Sequence, residues 1–259
     1  MLAPLSYAQQ LTIAVFPYAP PFVMEATRSG KYTGFSVDIM QKICHVLHAN
    51  CTFKPYQFDS MFKAVKAGEV DLGIGNITIM PSREKVVLFS LPYLPSKLQF
   101  ITTFASKINT IEDARNKIIG TQYALSSRSP ATELLEQEFG NEVKIRQFKD
   151  FNTMIKALVD KKIDIVLMDQ AIADFWFTNN VGEFKLIGSP KTLGLGYGIV
   201  AAKTSANLIN NINQAIITIQ NDGNYTQIYN TYFADFLPPP PENVKSPYLR
   251  PLKNGDFTI

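Results

Sequence analysis

No stretch of this 259-residue chain approaches the ~18 consecutive apolar residues that read as a membrane-crossing helix. Nor does it hold a run of five basic residues. Its 25 Lys and Arg against 22 Asp and Glu leave a net charge of +3, too small and too dispersed to argue for nucleic acid or an anionic membrane. Histidine and cysteine are scarce, with two of each. Both histidines, His45 and His48, lie between the two cysteines, Cys44 and Cys51. No Ser–His–Asp set is visible, which argues against a hydrolase built on that triad. Cys44, His48 and Cys51 could ligate zinc in principle, but the spacing matches no zinc finger. A lone cysteine pair in an exported protein is more often a disulfide. What remains is 46% hydrophobic with a mean hydropathy near zero. That suits a soluble globular protein of one large domain, or of two lobes of roughly 100–120 residues each.

The stretch Val70–Arg83, VDLGIGNITIMPSR, reads as a buried strand (Val70–Ile74), a polar loop, and a helix opened by Pro81 and Ser82. Gly75 lets the backbone approach a ligand closely. Thr78 adds a hydroxyl, Asn76 a polar side chain, and Arg83 a planar fork of donors that fits a carboxylate. The alternative is an ordinary strand–turn–helix connection with a surface arginine. A repeat supports the ligand reading. Phe58–Val65 reappears as Phe151–Leu158, 93 residues later, and Val70-Asp71 then matches Ile163-Asp164. Each copy reads as a short amphipathic helix followed by a buried strand. In this register Asn76 corresponds to Asp169. Open α/β sheets bind ligands outside the carboxyl ends of their strands, so Arg83 and Asp169 are expected at equivalent strand ends of two lobes. Such a pair suits a zwitterion, although Asp169 could simply cap the next helix.

Elsewhere, Leu11–Val15 reads as the first strand. The segment Phe16-Pro17-Tyr18-Ala19-Pro20-Pro21-Phe22 cannot be helical and forms either a rigid aromatic ligand wall or a plug over the core. A helix follows from Gly34, with Ser36 and Asp38 near its start. Ser126, Ser127 and Ser129 precede Pro130 at a helix N-terminus, where they serve as an anion site or as plain caps. Crossings between lobes are expected near Tyr93–Lys97 and in the Gly-rich segment 188–198, the latter as a flexible return. Residues 1–8 resemble the end of an export signal, with Ser6 and Ala8 at signal-peptidase spacing. The Pro-rich tail 237–259 is expected to be extended.

Taken together, GFSVDI at 34–39, the helix–strand unit at 58–74, TIMPSREKVVLFSLPY at 78–93, KKIDIVLMD at 161–169 and NDGNYTQIYNTYF at 221–233 resemble the bacterial periplasmic solute-binding proteins for amino acids, over about residues 10–236. The resemblance implies an α/β type II fold of two Rossmann-like lobes joined by two hinge crossings. Lobe 1 would hold residues 9–95 plus 197–236, and lobe 2 residues 96–196. It implies a monomeric periplasmic protein without cofactor, metal or catalysis, which captures an amino acid between its lobes and delivers it to an inner-membrane ABC permease. The words around Cys44 and Cys51 are most similar to the arginine-binding subgroup, whose members carry a disulfide there. Carried over, Arg83 would clasp the ligand carboxylate with Thr78 and Ser126. Asp169 and the Gly75 carbonyl would take the ammonium, and Phe58 would stack on the side chain. Asn76, Gln122, Phe16 and Tyr18 would line the pocket. Phe16 stands where basic-amino-acid binders carry an acidic residue, and Ser36 where the family has Asp. A guanidinium could instead be held by Glu25, by Asn76 and Gln122, or between Phe16 and Phe58. The alternatives are a neutral polar ligand such as glutamine, a cyclohexadienyl-dehydratase-like enzyme, and a receptor sensor domain.

Overall fold

The computed structural model describes residues 8–27, 30–123, 129–234, 250–251 and 257–258. All but the last residue of the expected export-signal remnant and most of the Pro-rich tail lie outside these residues. Two compact units emerge. Unit 1 comprises the chain through Tyr18, then Phe22–Leu94, and the chain from Tyr197 onward; unit 2 comprises Ala19–Pro21 and Pro95–Gly196.

Unit 1 opens with β1 (Gln10–Val15), the ribbon β2 (Met24–Thr27) and β3 (Lys31–Thr33), α1 (Phe35–Val46), β4 (Asn50–Pro55), α2 (Phe58–Ala67), β5 (Leu72–Ile74), α3 (Pro81–Glu84) and β6 (Leu88–Phe89). Unit 2 follows with β7 (Lys97–Thr103), β8 (Ile118–Gln122), α4 (Pro130–Phe139), β9 (Lys144–Phe148), α5 (Phe151–Val159), β10 (Ile165–Asp169), α6 (Gln170–Asn179) and β11 (Phe184–Thr192). The chain returns to unit 1 as β12 (Val200–Ala201), α7 (Ala206–Asn221) and α8 (Asn224–Phe233). In the tail, Arg250–Pro251 pairs with Phe257–Thr258 as a short antiparallel ladder.

Each unit contains a five-stranded sheet. The order is β4-β1-β5-β12-β6 in unit 1 and β11-β7-β10-β8-β9 in unit 2. In both, three strands run parallel, β4-β1-β5 and β9-β8-β10, and the next neighbour, β12 or β7, runs antiparallel. The repeat read from the sequence is therefore part of a duplicated β–α–β–α–β segment. Its helices bury the same positions, Met61, Ala64 and Val65 in α2 and Met154, Ala157 and Leu158 in α5, at the i, i+3, i+4 spacing of one helical face. An aspartate latches the central pair in each copy. Asp71 Oδ2 accepts from the Thr12 N–H (2.7 Å), and Asp164 Oδ2 from the Ile118 N–H (2.8 Å).

Unit 1 closes around an aromatic core of Phe22, Phe35, Tyr93, Tyr197, Tyr229 and Phe233. Leu98, Phe100, Ile119, Leu135, Phe139, Ile165 and Ile187 fill a core of unit 2. One expectation needs correction. The Gly-rich segment 188–198 is not flexible return throughout, because β11 continues to Thr192 and pairs Lys191 with Leu98 and Thr192 with Lys97. A register shift between Ile187 and Lys191 absorbs Gly188 and Pro190. Gly188, at φ +63°, lies so close to Ile111 that a Cβ would meet its Cδ1 at 2.4 Å, so the bulge accommodates what an uninterrupted ladder would exclude.

Candidate functional site

In unit 1 the polar loop leaves the carboxyl end of β5. The Gly75 carbonyl accepts a hydrogen bond from the buried Tyr93 hydroxyl. Gly75 is required by packing, since a Cβ there would stand 2.6 Å from the Phe16 ring. Phe16 is buried and stacks on Phe58, with ring centroids 5.6 Å apart and planes 20° apart. Phe58 opens α2, and Phe62, one turn on, lies 5.2 Å from it. The half-buried Arg83 stands in α3 with its guanidinium carbon 4.8 Å from the Phe58 centroid and 5.9 Å from that of Phe62. Its Nη1 donates to the Thr78 carbonyl at 2.9 Å. Thr78 is in turn bridged to Tyr197, and the Ile77 carbonyl accepts from the Gly198 N–H at 3.0 Å. A permanently charged, planar donor is thus held on an aromatic face and fastened to the loop that precedes it. Phe16, Phe58, Gly75, Thr78 and Arg83 come together, with Asn76 half-buried in the same loop. Tyr18 is 48% exposed and lies beyond this stack in the chain.

Two ways of holding a guanidinium do not fit. The Phe16 and Phe58 rings stack on one another, whereas an intercalated guanidinium needs about 7 Å, at ~3.5 Å of van der Waals spacing per face. Glu25 belongs to the β2–β3 ribbon, pairs in register with Tyr32, and accepts from the Gly30 N–H at 3.3 Å. It serves the ribbon turn.

In unit 2, β10 ends at Asp169, which is 8% exposed and caps α6, its Oδ1 accepting from the Ala171 N–H at 3.0 Å. The capping role considered for this residue is therefore real, and a carboxylate has acceptor sites for more than one partner. Gln122 ends β8 at the position that Phe16 holds just after β1, opposite Phe148 of β9. Ser126 and Ser127 lie outside the described residues. Ser129 is the N-cap of α4, its Oγ accepting from the Thr132 N–H at 3.0 Å, with Pro130 in the first turn.

The sequence reading passed over two groups. Tyr93 is 1% exposed and bonds Gly75; its signal was a tyrosine in an apolar passage, whose hydroxyl must find a partner once buried. Asp174, in α6, is 6% exposed, and its Oδ2 has no partner among the described residues. Burial pushes its carboxyl up to about 6, against the opposing effect of a hydrogen bond with Gln170. The helix α1 opens at Gly34, its N-cap, with Ser36 and Asp38 in the first turn; the Ser36 hydroxyl lies against that of Tyr93, and Asp38 accepts from the Tyr232 hydroxyl at 2.6 Å.

Cys44 and Cys51 are joined in a disulfide, which removes the two thiolates that the zinc alternative needs. Among the described residues no group of three or more His, Cys, Asp or Glu could hold a metal ion, and no helix is long and apolar enough to cross a membrane.

The family of bacterial extracellular solute-binding proteins, family 3, matches residues 11–235. The chain is 31% identical to the arginine-binding periplasmic protein of Mannheimia haemolytica over 225 residues, which is 86% of this chain and 90% of that protein. Among solved structures, an arginine 3rd transport system periplasmic binding protein from Legionella pneumophila matches with a TM-score of 0.81 and 35% identity, covering 87% of this chain and all of that one. An ancestral arginine-binding protein bound to glutamine matches with a TM-score of 0.77 and 28% identity, over 88% of this chain and 99% of that one.

Proposed function

The chain belongs to the bacterial extracellular solute-binding proteins, family 3, and we propose that it is a periplasmic amino-acid receptor that serves an ABC permease, with L-arginine or another basic amino acid as ligand. The observation that carries this reading is Arg83, half-buried on the Phe58 face and fastened to the Thr78 carbonyl at the carboxyl end of a parallel strand. Arg83 takes the ligand carboxylate as a charge-assisted pair, aided by Thr78 and Ser126. Asp169 and the second lone pair of the Gly75 carbonyl take the ammonium. Phe58 supplies an apolar shelf for the side chain, and Asn76, Gln122, Phe16 and Tyr18 complete the lining. No residue is assigned a catalytic role, and the protein works as a monomer.

The ligand class is supported by the relatives named for arginine. A second reading, glutamine, is favoured by one feature of this chain. The stacked Phe16 and Phe58 rings present an apolar surface where a guanidinium would call for a carboxylate. Asn76 and Gln122 could then meet a side-chain amide.

Thermal unfolding of protein that has been unfolded, stripped of ligand and refolded, measured against the common amino acids with ornithine and citrulline, separates the two. Arginine at 100 times its Kd stabilises by about 2.7 kcal/mol. A shift with arginine, or with arginine and lysine, is the expected result. A shift with glutamine alone replaces the first reading by the second, and no shift with any of them overturns both.

A further inference from the structure

We propose that Tyr93 is a positioning residue for ligand binding, which holds the Gly75 carbonyl in place and is itself oriented by Ser36. The inference rests on the reading above, in which that carbonyl meets the ligand ammonium.

The three groups form one buried chain. Tyr93 is 1% exposed and Ser36 is fully buried. The Tyr93 hydroxyl donates to the Gly75 carbonyl, and its oxygen lies 3.1 Å from Ser36 Oγ. A tyrosine carries one O–H. With that proton given to Gly75, the Tyr93 oxygen can only accept from Ser36, so the Ser36 hydroxyl donates. The direction of the relay is thereby fixed from α1, through Tyr93, to the first residue of the site loop.

Tyr93 cannot drift to follow the carbonyl. Its backbone N–H donates to the Tyr197 carbonyl at 2.9 Å, its own carbonyl accepts from the Tyr225 hydroxyl at 2.7 Å, and its ring packs on Phe35 at 6.1 Å. The Gly75 peptide is equally confined on the side of Phe16, where no room for a Cβ exists. The carbonyl is therefore aimed before any ligand arrives, and its burial is compensated meanwhile. Because a carbonyl oxygen has two lone pairs, an ammonium can join Tyr93 on it without displacing the phenol.

The test compares the unmodified protein with Tyr93→Phe, which removes one oxygen and keeps the ring, and with Ser36→Ala. In ligand-free protein, amide hydrogen exchange at residues 76–78 is expected to accelerate about tenfold in Tyr93→Phe and less in Ser36→Ala, with the unit 2 amides unchanged. Affinity is then measured for L-arginine and for 5-guanidinopentanoate, the same molecule without its ammonium. Tyr93→Phe is expected to weaken arginine about tenfold and the des-amino compound less than about threefold. Unchanged exchange at 76–78 overturns the proposal, as does an equal loss for both compounds or a gain for arginine. If the unmodified protein takes neither compound, the arginine reading fails by itself, and the exchange measurement still decides the role of Tyr93. Should Tyr93→Phe fail to fold, Ser36→Ala carries both comparisons, with smaller changes expected in the same directions.

Discussion

Unit 1 and unit 2 are built on one β–α–β–α–β segment, β1-α1-β4-α2-β5 in the first and β8-α4-β9-α5-β10 in the second. What the copies share is buried or backbone-directed: parallel strand order, the apolar face of the second helix, and the aspartate latch. They part at the carboxyl ends of the strands. After β1 the chain runs through an aromatic loop and a β-ribbon before α1, whereas after β8 it reaches α4 within residues 123–129. After β5 comes the Gly75–Thr78 loop with Arg83 beyond it; after β10, Asp169 caps a helix at once. Phe16 answers to Gln122, and Asn76 to Asp169. A framework whose positions are fixed by burial tolerates little change, while strand-end loops are free to take opposite chemistries. The duplicated fold thus carries a cationic side chain, Arg83, beyond the strand end of one copy and a carboxylate, Asp169, at that of the other.

The largest effect that tests this division falls on Arg83. Arg83→Ala is expected to cost about 2–5 kcal/mol of amino-acid affinity, which is ~30-fold to several-thousand-fold, with little change in ligand-free unfolding. Asp169→Asn keeps a good cap for α6 and removes only the charge, so its loss should be smaller, about 1.5–3 kcal/mol. Calorimetric titration of both variants reads the difference. Near-native affinity in Arg83→Ala would mean that Arg83 does not hold the ligand carboxylate, and the proposed clamp would fall.

A second asymmetry concerns pH. Unit 2 buries Asp174 in α6, the helix that Asp169 caps. Its folded-state carboxyl titrates at about 6, raised from 3.8 by burial. Between those values the folded protein binds more protons than the unfolded chain, so stability falls as pH rises through this window and levels off above it. Asp174→Asn removes the penalty. It should stabilise by roughly 1–3 kcal/mol above pH 6 and by progressively less toward pH 4. Unfolding curves at pH 4.5 and pH 8 decide this. An equal gain at both would place the effect in packing and not in ionisation.

Much of the framework was legible because it rests on periodicity. The repeat of Phe58–Val65 at 151–158 fixed two helices and the strands after them, and its register paired Asp71 with Asp164. The cluster of Gly75, Thr78 and Arg83 was legible from donor chemistry next to a strand end. Side-chain hydrogen bonds between distant residues were not, since no local pattern announces that Tyr93 will meet Gly75 and Ser36. The closed Phe16–Phe58 stack was hidden for the same reason. It depends on β1 and α2 being neighbours in space, and the sequence suggested an open slot. The extension of β11 through Gly188 and Pro190 was masked by residues that normally end strands; the pairing with Leu98 and Lys97 outweighed them.

The smallest expected effect bears on what the copies share. In both, the latch aspartate accepts the N–H of the residue just before the first pair of the central ladder, but the Thr12 bond is solvent-exposed and the Ile118 bond is partly buried. Truncation to alanine leaves the same donor without a partner in each case. Water can replace the carboxylate at Thr12, so Asp71→Ala should cost only about 0.5–1 kcal/mol. At Ile118 water has less access, and Asp164→Ala should approach ~1.5 kcal/mol. Asp164 also holds Thr102 through its backbone carbonyl, at 2.7 Å, and that bond survives the substitution, so the comparison isolates the carboxylate. Denaturant unfolding of both variants gives the two numbers. A larger loss for Asp71→Ala would show that solvent access does not set the strength of the latch, and that the two copies differ in their frameworks as well as in their loops.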